Sequence, residues 1–83
     1  MENEWVGTAL GGLLPEEEIL KIIEDYEACK DRPLLHLGLD SMKTMGLVIN
    51  IESAYGIDID YERFHLDEIA TLERLKGFIE RHR

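Results

Sequence analysis

The segment between Asp40 and Gly56 constrains the fold more strongly than any other part of the chain. Its apolar side chains recur at helical spacing, at Met42, Met45, Val48, Ile49, Ile51 and Tyr55. Asp40 suits the position just before a helix, because its carboxylate can accept hydrogen bonds from the free N–H groups of the first turn. Gly56 is typical of the residue that ends a helix. The pattern predicts a helix from Ser41 to Tyr55, with the Ser41 hydroxyl exposed beside the positive end of the helix dipole.

Two apolar stretches precede this helix. The first, residues 4–14, has helical spacing but contains three glycines, each of which costs up to about 1 kcal/mol relative to alanine inside a helix. We therefore expect a short or frayed helix there, with residues 1–14 as the N-terminal segment of a single domain that spans residues 1–83. The second stretch begins at Pro15, since proline and the three glutamates that follow suit a first helical turn. It is predicted to continue to Lys30.

Shorter elements are predicted on both sides of the central helix. Asp31-Arg32-Pro33 ends the preceding helix, and three leucines at 34, 35 and 37 are expected to pin the next loop to the core. Residues 57–60 alternate between isoleucine and aspartate as a strand would, but the chain offers no partner strand. We interpret them as an extended connector, with Asp60 capping a short helical turn over residues 61–65.

The last helix is predicted to begin at Asp67 or Thr71. Its inner face consists of Leu72, Leu75, Phe78 and Ile79. Basic residues follow at the C-terminus, where they complement the helix dipole. The sequence therefore predicts an all-α fold, a small bundle of about four helices with a short helix before the last one.

Composition limits the classes of partner. The net charge of −9 opposes binding to nucleic acid and to anionic membrane surfaces, whose phosphates would repel the protein. Cys29 is the single cysteine, which excludes an internal disulfide and fits a reducing compartment. No apolar run approaches membrane-spanning length, and none follows a basic start as in a leader. We expect a cytoplasmic monomer that does not insert into membranes.

A serine hydrolase is the catalytic alternative. It would combine Ser41 with a histidine at 36, 65 or 82 and with Asp40 or Asp67. The serine lacks the flanking glycines of a nucleophile elbow, and a chain of 83 residues leaves little room for a substrate pocket and an oxyanion hole. We therefore predict no catalytic residues. Ser41 is interpreted as a residue that another protein modifies.

No metal site is predicted. Asp58, Asp60 and Glu62 have the spacing that begins a calcium loop, but Arg63 stands where that loop requires glycine. The histidines lack the spacing of metal ligands. A capped turn with solvated carboxylates explains these residues better.

From Asp31 onward the chain resembles the acyl and peptidyl carrier proteins. The resemblance rests on Leu37-Gly38-Leu39-Asp40-Ser41-Met42, Leu47, Ile51-Glu52, Tyr55-Gly56-Ile57-Asp58-Ile59 and Asp67-Glu68-Ile69-Ala70-Thr71-Leu72, followed by Leu75, Phe78 and Ile79. The first stretch is similar to the family's phosphopantetheine attachment motif, in which the last residue is most often leucine. The other stretches follow in the family's order, so the resemblance covers more than half of the chain.

The resemblance implies a free-standing carrier of bacterial type. Ser41 would bear a covalent 4'-phosphopantetheine arm, and Asp40 would cap the helix and help the modifying enzyme recognise it. The arm would hold an acyl, aminoacyl or polyketide intermediate as a thioester, while the protein itself catalyses nothing. The implied partners are a phosphopantetheinyl transferase, an acyl- or aminoacyl-activating ligase, and downstream synthases or tailoring enzymes.

A docking face is predicted beside Ser41. It consists of Met42, Met45, Gly46, Tyr61 and Phe64. Methionines at helical spacing usually fill a core, although they also form adaptable partner surfaces. Gly46 stands where the bacterial fatty-acid carriers usually have a glutamate that docks basic partners. Fatty-acid synthesis is therefore the least favoured pathway.

The sequence allows more than one pathway for the carrier and more than one interpretation of the helix at residues 16–30. Met42 and the turn around Phe64 resemble the D-alanyl and other aminoacyl carriers. Specialised metabolism, such as polyketide or nonribosomal peptide synthesis, is the first hypothesis, and aminoacyl carriage for the cell envelope or amino-acid modification is the second. An interaction module that keeps the fold without carrying the arm is a third. Residues 16–30 are either the family's first helix with a shortened loop or an extra helix.

Overall fold

A computed structural model describes residues 3–82, and the regular structure within them is entirely helical. The α-helices are α1 (Glu4–Leu10), α2 (Glu16–Glu24), α3 (Tyr26–Cys29), α4 (Ser41–Tyr55) and α5 (Leu72–His82). Two 3-10 helices lie between them, at Leu34–Leu37 and Leu66–Ile69. The predicted all-α bundle is confirmed. No helix among residues 3–82 is long and apolar enough to cross a membrane.

The core is built from one face of each helix. Its most deeply buried side chains include Val6, Ala9 and Leu10 of α1, Leu47, Val48 and Ile51 of α4, and Leu72 and Leu75 of α5. Removing such side chains from water contributes about 25 cal/mol per Å² of apolar surface. Because α1 packs against both α2 and α4, it closes the bundle on one side.

Helix α1 is better packed than a frayed segment would be. Val6, Ala9 and Leu10 are fully buried. The helix ends at Leu10, and the carbonyls of Ala9 and Gly11 accept hydrogen bonds from a side chain of α4. Long-range packing therefore outweighs the low helix propensity of the glycines.

The single helix predicted from Pro15 to Lys30 is divided at Asp25. This residue has φ −104° and ψ 31°, outside the helical range, and α3 begins directly after it. The buried face continues across the break from Ile22 to Tyr26 and Cys29. Aspartate is a weak helix former, so the chain bends there while its apolar face stays on the core.

The helical turn predicted over residues 61–65 is shorter than expected. The Asp60 carbonyl accepts hydrogen bonds from the Arg63 N–H at 3.1 Å and the Phe64 N–H at 3.0 Å, but no helix continues from it. Asp60 Oδ1 accepts a hydrogen bond from the Glu62 N–H at 3.1 Å, but only a turn follows. Phe64 then packs against the ring of Phe78, with centroids 5.5 Å apart, and this inward contact ends the turn. The short helix lies further along the chain, at Leu66–Ile69, where the Glu68 carboxylate accepts a hydrogen bond from the His65 N–H at 3.0 Å.

Candidate functional site

The loop before α4 delivers Ser41 to the first position of that helix. Gly38 closes the 3-10 helix at Leu34–Leu37 with φ +98°, a left-handed conformation that glycine adopts most easily. Leu39 is 1% exposed and anchors the loop in the core. Asp40 is extended, with φ −74° and ψ −176°, and the next residue is helical. Buried Leu39 therefore fixes the position at which α4 begins.

Asp40 is the N-cap of α4. Its Oδ1 atom accepts a hydrogen bond from the Lys43 N–H at 2.9 Å. Its backbone carbonyl accepts hydrogen bonds from both the N–H and the hydroxyl of Thr44, each at 2.8 Å. These contacts satisfy the start of the helix without using the Ser41 hydroxyl. Ser41 is exposed.

A mainly apolar cleft opens beside Ser41. Its volume is about 230 Å³. It is lined by Pro33, Leu34, Leu35, Leu39, Asp40, Ser41, Thr44, Leu66, Asp67, Ile69 and Ala70. Leu35 was expected to pin its loop to the core, but it is 66% exposed because Leu34 and Leu39 fill that role. The two 3-10 helices thus form the walls of a shallow cleft at the start of α4.

No histidine is among the described residues that line this cleft. His82 stacks on Phe78 at 4.1 Å, and its Nδ1 lies 2.9 Å from the Phe78 carbonyl oxygen. His65 belongs to the cap of the second 3-10 helix, and the exposed His36 is also absent from the lining. Asp40 and Asp67 thus line the cleft together with Ser41, but none of the three histidines proposed for a hydrolase does.

The methionines beside Ser41 are exposed, so the interpretation that their side chains pack in the hydrophobic core is wrong. Met42 is 85% exposed and Met45 46% exposed. Ile49, one turn further along α4, is 61% exposed and was missed as a surface residue. We call Met42, Met45 and Ile49 the exposed stripe of α4.

Gly46 and Asn50 hold the N-terminal part of the chain against α4. A Cβ atom on Gly46 would lie 2.6 Å from Leu13 Cδ2, so glycine permits the close approach of the loop after α1. The Asn50 Nδ2 group donates hydrogen bonds to the carbonyls of Ala9 at 2.9 Å and Gly11 at 3.0 Å. Sequence reasoning missed both contacts. The only local signals were a glycine and an asparagine inside a strong helix.

Tyr61 and Phe64 occupy different environments. Tyr61 is 53% exposed, and its hydroxyl donates a hydrogen bond to the Glu52 carboxylate of α4. This hydrogen bond raises the pKa of Tyr61 above its ordinary value. Phe64 is half-buried against Phe78, so only part of its ring faces solvent. The turn after residue 60 is therefore fastened both to α4 and to the core.

The chain matches a family model described as "Phosphopantetheine attachment site" over residues 17–79. Ser41, its cap and the cleft all lie inside this range. So do α3 and all of α2 except its first residue. Helix α1 lies before the matched range.

A relative among characterised proteins supports the same assignment. The D-alanyl carrier protein of Streptococcus suis (strain 98HAH33) is 35% identical over 72 residues, which cover 78% of this chain and 91% of that protein. A comparison with solved structures found no significant match. The family carries 4'-phosphopantetheine in covalent linkage. The chain belongs to the phosphopantetheine-binding carrier proteins.

Proposed function

We propose that Ser41 is the attachment residue and that the protein carries an acyl group on the attached arm without catalysing a reaction itself. The observation that carries this proposal is the position of Ser41. It is exposed at the first residue of α4, after the N-cap Asp40 and within the family match. The chain's other serine, Ser53, lies near the opposite end of α4.

The surroundings of Ser41 fit a phosphodiester. The hydroxyl is open to solvent, and a negative group bound there would lie beside the positive end of the α4 dipole. No histidine is among the described residues of the cleft, and the Asp40 carboxylate already accepts the Lys43 N–H, so we assign the activation of this hydroxyl to an external enzyme. The thiol at the end of the arm supplies the bond to the cargo as a thioester.

The attachment step is a phosphoryl transfer from coenzyme A. The Ser41 Oγ atom forms a bond to the phosphorus that bears pantetheine, and the P–O bond within the diphosphate breaks. Adenosine 3',5'-bisphosphate leaves, and the hydroxyl proton passes to a base of the transferase, whose Mg²⁺ offsets the charge on the diphosphate. Asp40 contributes by fixing the helix start on which the hydroxyl is presented.

The cargo we propose is a small aminoacyl group, with D-alanine as the first candidate. The relative from Streptococcus suis is named as a D-alanyl carrier. The cleft beside Ser41 is small, about 230 Å³, and the core side chains Leu47, Ile51 and Leu72 are fully buried. This packing suits a short cargo better than a long acyl chain. Acyl or polyketide carriage in specialised metabolism is the second candidate.

The proposal implies a reaction sequence with three kinds of partner. A phosphopantetheinyl transferase installs the arm, an ATP-dependent ligase loads the amino acid, and a further enzyme receives it. Holding the cargo on a protein raises its effective concentration at each partner. Coenzyme A and ATP are cytoplasmic, so we place the single-domain carrier there.

Intact-protein mass spectrometry tests the attachment. The apo protein is incubated with coenzyme A, Mg²⁺ and a broad-specificity transferase. We expect the wild type and the matched control Ser53→Ala to gain one phosphopantetheinyl group, and Ser41→Ala to gain none. An unchanged wild-type mass, when a known carrier in the same tube is modified, contradicts the carrier function and supports an interaction module.

A second assay tests the cargo. The phosphopantetheinylated protein is incubated with ATP and ligases that activate D-alanine, another amino acid, or a carboxylic acid without an amino group. We expect loading with D-alanine, detected as added mass that hydroxylamine removes. Loading only by the carboxylic-acid ligase contradicts the aminoacyl proposal and leaves the attachment proposal intact.

A further inference from the structure

The loop after α1 is held against α4 by two independent contacts. Asn50 donates hydrogen bonds to the carbonyls of Ala9 and Gly11. Four residues earlier on α4, Gly46 leaves room for the Leu13 side chain, which a Cβ atom would meet at 2.6 Å. Residues 11–14, which we call the α1–α2 loop, therefore lie along one flank of α4.

The exposed stripe of α4 lies between two flanks of the helix, one covered by the α1–α2 loop and one that carries Glu52. An α-helix turns by about 100° per residue, which places the stripe between Glu52 on one side and Gly46 on the other. Glu52 holds Tyr61, and Gly46 contacts Leu13. The surface next to Ser41 is thus an apolar stripe bordered by the α1–α2 loop and by the turn at Tyr61.

An enzyme that acts on Ser41 must cover this surface. A protein interface of ordinary size buries about 800 Å² on each partner, equivalent to a disc of about 16 Å radius. At 1.5 Å per residue, Gly46 lies about 7.5 Å and Asn50 about 13.5 Å along the helix from Ser41. Around the helix axis, Ser41 and Gly46 are about 140° apart, with the exposed stripe between them. A footprint of this size centred on the stripe therefore reaches both Ser41 and the α1–α2 loop where Leu13 packs.

We propose that the α1–α2 loop is part of the surface that the phosphopantetheinyl transferase contacts, and that Asn50 is the positioning residue that holds it there. This inference rests on the proposed modification of Ser41. The fitting partner surface is apolar opposite Leu13 and Met42, with a basic rim that suits the net charge of −9. Helix α1 and the α1–α2 loop lie before the family match, which begins at residue 17.

Steady-state kinetics of the transferase reaction test the inference, with the apo protein as the varied substrate. Asn50→Asp keeps the size of the side chain but replaces the donor with an oxygen that repels both carbonyls. Leu13→Ala keeps those hydrogen bonds and removes the apolar contact. Ile79→Val is the matched control, because it removes a buried methyl group of α5 that lies outside the described lining of the cleft.

We expect Asn50→Asp and Leu13→Ala each to raise KM about threefold to tenfold, the size of one lost hydrogen bond or small apolar contact. We expect kcat to stay within about twofold of wild type, because Ser41 and its cap are unchanged. Ile79→Val should leave both KM and kcat unchanged, even if it lowers the thermal midpoint as much as the other two variants do.

Three results would overturn the inference. A wild-type KM for both Leu13→Ala and Asn50→Asp would show that the loop is not contacted, while modification of the wild type would keep the proposed function. An equal rise in KM for Ile79→Val would assign the effect to general stability. If the wild type itself is not modified, the proposed function fails and the inference fails with it. Should Asn50→Asp not fold, Leu13→Ala alone decides between the first two.

Discussion

Gly46 of α4 and Leu13 of the α1–α2 loop are packed so closely that a Cβ atom at position 46 would lie 2.6 Å from Leu13 Cδ2. The atom in the way is the end of a flexible side chain, which can move at some cost. Glycine inside a helix is itself unfavourable relative to alanine. Position 46 therefore balances helix propensity against a long-range contact.

A double-mutant cycle should reveal this balance. In a Leu13→Ala background, Gly46→Ala should stabilise the protein by up to about 1 kcal/mol, because only the gain in helix propensity remains. With Leu13 present, the gain should shrink or reverse, giving a coupling free energy of at least about 0.5 kcal/mol. Urea unfolding of the four proteins measures it. Equal effects of Gly46→Ala in both backgrounds would show that the contact between position 46 and Leu13 contributes nothing to the free energy of unfolding.

We expect Asp40 to act as the N-cap of α4. Two substitutions distinguish this capping role from recognition of the Asp40 charge by the transferase. Asp40→Ala removes the acceptor for the Lys43 N–H and should lower the free energy of unfolding by about 0.5–2 kcal/mol. Asparagine caps helices almost as well as aspartate, so Asp40→Asn should stay near wild-type stability.

The rate of phosphopantetheinylation distinguishes the two roles of Asp40. We expect Asp40→Ala to be modified more slowly than wild type. A slow Asp40→Asn with an unchanged thermal midpoint would assign the carboxylate to recognition by the transferase. If Asp40→Ala matches wild type in both rate and midpoint, Asp40 has neither role.

Docking should depend more on the exposed stripe than on charge. Met42 is 85% exposed, so Met42→Ala should leave the fold intact and still raise the transferase KM by about fivefold, the effect of losing about 1 kcal/mol at an interface. Glu52→Gln is the matched control. It removes a charge but keeps an acceptor for the Tyr61 hydroxyl, and exposed ion pairs contribute only about 0–1 kcal/mol.

Circular dichroism must show that both variants are folded before their KM values are compared. A normal KM for Met42→Ala together with a high KM for Glu52→Gln would make docking electrostatic. That outcome would also show that docking stays dependent on charge although Gly46 stands where the fatty-acid carriers usually have a docking glutamate.

Tyr26 should make stability depend on alkaline pH. Burial, followed by the nearby Glu73 carboxylate, raises the pKa of Tyr26 above its ordinary value of 10.0. Ionisation of the hydroxyl is therefore disfavoured in the folded state, so stability is unaffected below pH 10.0 and falls as pH rises through the higher folded-state value. Unfolding free energies of wild type and Tyr26→Phe across this range measure the effect, and the variant should lose less stability.

At neutral pH the same variant tests a buried polar group. Among the residues that the structure describes, the Tyr26 hydroxyl has no hydrogen-bond partner. Tyr26→Phe should therefore be neutral or stabilising, since an unsatisfied buried hydroxyl costs about 1–3 kcal/mol. A clear loss of stability in Tyr26→Phe would mean that the hydroxyl is satisfied, for example by a bound water.

Local signals in the sequence predicted the helix that presents Ser41. Asp40 and Gly56 bound α4 as expected, with Gly56 in the left-handed conformation at φ +65°. The start of α5 was also predictable, because Thr71 Oγ1 accepts a hydrogen bond from the Arg74 N–H at 3.2 Å. Each of these signals involves residues only a few positions apart, which is why the sequence alone reveals them.

Contacts between distant residues could not be predicted in the same way. Asn50 lies 41 residues from Ala9, and neither residue type identifies the other as its partner. The apolar periodicity of residues 42–49 was also ambiguous, because a helix that is apolar on several faces does not show which face is buried. In the folded chain α1 packs against α4, and Leu47, Val48 and Ile51 are buried while the methionines are exposed.

Peptide mapping after modification tests the central claim most directly. Trypsin cleaves after Lys43 and separates the two serines, with Ser41 in the peptide of residues 31–43 and Ser53 in the peptide of residues 44–63. We predict that treatment with coenzyme A, Mg²⁺ and a transferase adds phosphopantetheine to the first peptide alone. Modification on the second peptide, or none at all while a known carrier in the same tube is modified, would contradict the assignment of Ser41.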